Sequence, residues 1–142
     1  MPLLKITVLL MFVIVGSNRL DAFDVMELTI VIPNSEQEEA MRFTEEWRNN
    51  LLQKYNFEEK KHNELPNFHF WTFSTSNDET KLNVSIGRRK DERYSISFSY
   101  IIKDEPSKFI EEHLFPEISK SAERIFEEKV MTIEKHTVFV CD

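Results

Sequence analysis

Glycine is nearly missing from this chain: among 142 residues it occurs only at Gly16 and Gly87. Loops that cradle phosphates, and the dinucleotide-binding fingerprint, need several glycines where backbone amides approach the ligand. Both are excluded, as is the glycine-flanked nucleophile elbow. Cysteine is scarcer still. Cys141 stands alone, so there is no internal disulfide framework, and the thiol is either free or linked to another chain. His136, five residues before it, would face the opposite side of a strand, which argues against a nucleophile and base pair.

The four histidines, His62, His69, His113 and His136, show no spacing among themselves or to cysteine that marks a metal site. Glu111, Glu112 and His113 are adjacent on an expected helix, where neighbours point in different directions, and read as a solvated face. No metal, cofactor or catalytic residue is expected. The chain reads as non-enzymatic, with a small hydrolase of unrecognised site as the weakest alternative.

Positive charge is also short. Eighteen basic side chains face 25 acidic ones, a net charge of −7, which disfavours nucleic acid and anionic membranes as partners. The one basic cluster is Arg88, Arg89, Lys90 and Arg93, interrupted by Asp91 and Glu92 at an expected hairpin tip, a pattern that a solvated turn also gives. Long apolar runs occur once, from Ile6 to Val15, relieved only by Thr7 and preceded by Lys5. This is the pattern of a secretory leader, assigned to residues 1–22 with cleavage expected near Val15-Gly16-Ser17 or Leu20-Asp21-Ala22. An uncleaved anchor is the minor alternative, since the run is short against the ~20 residues of a membrane span; a buried first strand is another. A secreted or periplasmic location follows.

What is abundant is alternation. Tyr94, Ile96, Phe98, Tyr100 and Ile102 recur every second residue with Ser95, Ser97 and Ser99 between them, and Leu82, Val84 and Ile86 alternate with Asn83, Ser85 and Gly87. Both stretches predict half-buried strands. A third strand breaks the pattern, with Phe68 and Phe70 on one face and His69, Trp71 and Phe73 on the other, so aromatic surface is left whichever face meets the core. Asn83-Val84-Ser85 also matches the loose glycosylation pattern.

Around these lie a strand from Val25 to Ile32 ended by Pro33, and a helix opened by a Ser35–Glu38 capping box with a stripe of Ala40, Phe43, Trp47, Leu51 and Tyr55. The charged run Glu58 to Glu64 is expected as a loop. A short helix to about His113 and a second from Pro116 to about Lys129 follow, split because proline lacks the amide hydrogen. Met131 to Val140 is the last strand. The expected domain, residues 23–142, is α+β: a two-layer β-α-β-β-β-α-(α)-β sandwich with a mostly antiparallel sheet and helices on one face, of which a ferredoxin-like variant is one form.

Such a sheet leaves one face open. The expected function is an exported protein-binding module, such as an inhibitor, an immunity-type protein or an envelope adaptor. Its expected contact residues are His69, Trp71, Phe73, Ser95, Ser97, Arg88, Arg89 and Arg93, because aromatics and arginine dominate interface energetics. The alternative is a carrier of a small apolar ligand in a cavity lined by Phe68, Phe70, Tyr94, Phe98 and Tyr100.

Overall fold

The alternating stretches pair into one sheet. In the computed structural model, which describes residues 20–76 and 80–141, β1 (Leu20–Ile32), β2 (Glu58–Leu65), β3 (Phe68–Ser74), β4 (Lys81–Arg88), β5 (Tyr94–Ile101) and β6 (Val130–Cys141) lie in the order β2-β3-β4-β5-β1-β6. Every neighbouring pair is antiparallel. The expected α+β class is therefore the observed one. β5 and β6 run the same way on either side of β1, a split β-α-β arrangement. Most of the expected leader lies outside the described residues; Leu20, Asp21 and Ala22 belong to β1 and pair with Cys141, Val140 and Phe139.

Register decides the faces. Leu28, Phe98, Val84 and Trp71 form one cross-strand row, and Ile30, Ile96, Ile86 and His69 form the next. Cross-strand partners share a face, so these rows build one apolar surface. Helix α1 (Gln37–Gln53) covers it with Ala40, Phe43, Trp47 and Leu51, all buried. The hydroxyl of Thr44, also buried, donates to the Ala40 carbonyl at 2.8 Å. Phe43 meets Phe98 edge-on at 6.5 Å between ring centres and Phe126 at 5.3 Å, which brings the C-terminal helices onto the same face. There Phe115 packs edge-on against Tyr100 at 5.2 Å. Each such aromatic contributes about 1.5–3 kcal/mol by leaving water.

Four expectations are corrected. Residues 58–64 form an edge strand rather than a loop; nearly all of β2 is exposed, so it carries no apolar alternation, and its charges keep a free edge from pairing with other chains. The capping box does not form, because a 3₁₀ turn (Asn34–Glu36) precedes α1 and no side chain caps it. Pro116 does not break the helical path. α2 (Asp104–Phe109) runs through a π turn (Ile110–Leu114) into α3 (Phe115–Ile125), and the Phe115 amide donates five residues back to Ile110. The wider turn makes room for the ring of Pro116, which has no amide hydrogen to donate. Finally, Trp71 and Phe73 are 3% and 0% exposed beneath the helices, on the side of the sheet opposite Ser95 and Ser97.

Two outcomes follow. Trp71→Ala is expected to cost about 3–5 kcal/mol in urea unfolding, the range for truncating a core aromatic; a loss below about 1 kcal/mol would mean the row containing Leu28 and Phe98 is not the core. Burial, and secondarily Glu111, pushes the Tyr100 phenol up to about 12 from 10.0. The folded state therefore holds this proton more tightly than the unfolded chain does. The stability it supplies is complete below pH 10.0 and is lost as the pH climbs to about 12. Tyr100→Phe should flatten that alkaline decline when unfolding is measured at stepped pH.

Candidate functional site

Among the described residues, no helix packs on the other face of the sheet. Its centre is small and polar: Ser95, Ser97 and Ser99 of β5 stand beside Gly87, Ser85 and Asn83 of β4, and beside Val31, Thr29 and Glu27 of β1. These polar groups bond to one another, Thr29 Oγ1 lying 3.3 Å from Ser97 Oγ and Thr72 Oγ1 donating to Asn83 Oδ1 at 3.1 Å. Apolar side chains gather at two ends. Leu65 of β2 pairs with Phe68 of β3, and Phe70 stands two residues on; Leu65 is 59% and Phe68 39% exposed. At the other end Phe23 pairs with Val138, and both are exposed.

Phe68 is held in place by the residue beneath it. It pairs across strands with Gly87, and a Cβ added there would come within 2.9 Å of Phe68 Cδ2. The only glycine among the described residues is thus what lets the ring lie down on the sheet. Register resolves the two sets that the third strand offered. Phe68 and Phe70 share the open face with Ser95 and Ser97, whereas Trp71 and Phe73 are core and His69 is half-buried on the helix side.

The basic cluster is an internally paired turn. Arg93 makes a two-pronged contact to Asp91, with Nε at 3.0 Å and Nη2 at 2.7 Å. Arg89 lies 3.7 Å from Asp91, and Arg88 3.3 Å from Glu92. The hydrogen bonds from Arg93, side chain first and then backbone, hold the Asp91 carboxyl below its ordinary value. All of these side chains reach solvent, so the turn is a mixed-charge rim rather than a cationic patch.

The β2–β3 hairpin carries a second constellation. Its turn is Pro66-Asn67, with φ of 63° at Asn67, the positive value that the second central residue of a type II turn needs. The Asn67 carbonyl accepts from the Arg88 amide at 3.0 Å and ties the tip to β4. Further along β2 a bulge falls between Glu59 and Lys61. Before the bulge Glu59 pairs with Phe73 on the helix side, where it accepts from Arg48 Nε of α1 at 2.6 Å; that hydrogen bond raises the guanidinium pKa above its ordinary value. Beyond it His62 pairs with Trp71 and Glu64 with His69, so both return to the helix side just outside the helices' cover. The His62 ring stacks on Trp71 at 4.9 Å, and His69 lies nearly parallel to Trp71 at 5.8 Å. The donor atoms of His62, Glu64 and His69 all fall within 4.8 Å of one another.

Sequence spacing does not show this trio, because the run that contains His62 and Glu64 looks like a loop. The usable signal is His-x-Glu, a two-residue turn and then a second histidine, which a hairpin folds together. Two open recesses are present among the described residues. One, of about 130 Å³, is bounded by Gln37, Met41, Asn67, His69, Ile86 and Tyr94. A larger one, of about 360 Å³, lies at the far end of β1 beside Glu127, Glu128 and Lys129. The aromatics expected to line a carrier cavity are split, with Phe68 and Phe70 on the open face and Tyr94, Phe98 and Tyr100 filling the core.

No helix among the described residues is long and apolar enough to cross a membrane. Compared with family models, curated proteins and solved structures, the chain matches none.

Proposed function

We propose that this chain is an exported, non-enzymatic module that binds another protein through its uncovered sheet face, with Leu65, Phe68 and Phe70 as apolar anchors. The observation that carries the reading is the exposed Phe68 ring, laid flat on Gly87. An aromatic held in its bound conformation loses little conformational entropy on association, and aromatics dominate interface energetics. Six strands at about 4.8 Å spacing and about eight residues of length give a face on the order of 600 Å². A standard interface takes roughly 800 Å² from each partner. The serine and threonine ladder between the two apolar ends supplies hydrogen-bonding groups of low bulk, and the arginine turn supplies a polar rim. Export rests on the apolar run near the start of the chain. The carrier reading has no comparable support, since its lining residues lie on opposite faces.

Crosslinking the purified chain to proteins of the compartment it enters, with mass spectrometry of the adducts, tests this. One recurring partner is expected, lost in a Phe68→Ser/Phe70→Ser variant whose stability changes by no more than about 1 kcal/mol, as for surface positions. An unchanged set of adducts in that variant, or no adduct with the native chain, would overturn the proposal.

A further inference from the structure

The β2–β3 hairpin has the composition and geometry of a metal-binding site. We propose that it holds a borderline divalent transition-metal ion, zinc being the type, between the imidazoles of His62 and His69 and the carboxylate of Glu64. This is independent of the sheet-face reading, since the trio stands on the other side of the sheet.

Three observations carry it. First, the donor atoms already converge within 4.8 Å, and His69 Nδ1 is 3.7 Å from a Glu64 oxygen. Zinc bound at about 2.0–2.2 Å to nitrogen and oxygen needs tetrahedral donors roughly 3.3–3.6 Å apart. The remaining closure is small, and His62 and Glu64 are exposed side chains on an edge strand. Second, the two-residue turn at Pro66-Asn67 sets the register that puts His62 opposite Trp71 and Glu64 opposite His69. A register shifted by one residue would put Lys61 and Asn63 on the helix side and turn His62 and Glu64 away. The bulge between Glu59 and Lys61 then lets Glu59 keep the same side and hold Arg48 of α1, which fixes the base of the hairpin. Third, Trp71 forms a floor on which both imidazoles lie nearly parallel to it, at 15° and 17°, which limits the rotamers that must be frozen on binding.

Donor chemistry selects the ion. Two imidazoles and one carboxylate suit zinc, copper or nickel, whereas calcium and magnesium take oxygen ligands. Three protein ligands leave a fourth position for water or for a donor from a partner.

Calorimetric titration of zinc chloride into the tag-free chain, with Cys141 blocked, is the test. One ion per chain is expected, and His62→Ala and Glu64→Gln should each weaken binding by about tenfold or more. His136→Ala serves as the control, since His136 lies by Glu134 and Glu27 away from the hairpin, and should leave the affinity unchanged. In a Trp47→Phe background Trp71 is the sole tryptophan, and copper should quench its emission in the native hairpin but not in a His62→Ala/His69→Gln variant. Melting by circular dichroism confirms that the exposed-site variants stay folded. Absence of saturable zinc binding, or equal affinity in folded His62→Ala, would overturn the proposal. So would loss of binding in His136→Ala.

Discussion

The pairing of β1 with β5 sets everything else. Because Leu28 stands opposite Phe98 and Ile30 opposite Ile96, the apolar positions of a strand far back in the sequence coincide with those of the β2–β5 meander. A shift of one residue would turn the whole of β1 inside out. β6 then pairs with the outer side of β1, so the sheet becomes continuous only through this one strand. The helices add a lid to a surface that the register has already defined. Phe43 reaches onto it from α1, and Phe115 and Phe126 from the start and just past the end of α3.

Strands buried on one face were legible. Tyr94 to Ile101 and Leu82 to Ile86 announce themselves by alternation because one side of each meets the core and the other meets small polar neighbours. The stripe of α1 was legible for the same reason, with Ala40, Phe43, Trp47 and Leu51 in place. β2 was not, because a strand exposed on both faces carries no period to read. Pro116 misled by the opposite route: a real local preference was met by a π turn rather than by a break. Which face Trp71 occupies could not be read from β3 alone. Both of its faces are aromatic, and only pairing with Val84 decides it.

The two candidate sites show the same division. Phe68 and Phe70 were visible as one of two aromatic sets, yet their membership of the open face is a property of neighbouring strands. The serines at positions 95 and 97 were placed correctly by alternation, while the arginines turned out to be satisfied by the acids between them. The trio of His62, Glu64 and His69 is a product of two things that composition does not encode: a strand where charge suggests a loop, and a tight turn at Pro66-Asn67 that sets its register.

The unpaired residue in β2, between Glu59 and Lys61, uncouples the length of the edge strand from the way its side chains face. Glu59 is moored to α1 through Arg48, and the strand beyond it contributes almost nothing to the core. Deleting the amino acid at position 60 would close the bulge and still leave Glu59 opposite Phe73, His62 opposite Trp71 and Glu64 opposite His69, so mooring and rim would both survive. A chain built this way can absorb a one-residue difference in the length of its edge strand without exchanging the side chains on either face, and its interior does not register the change.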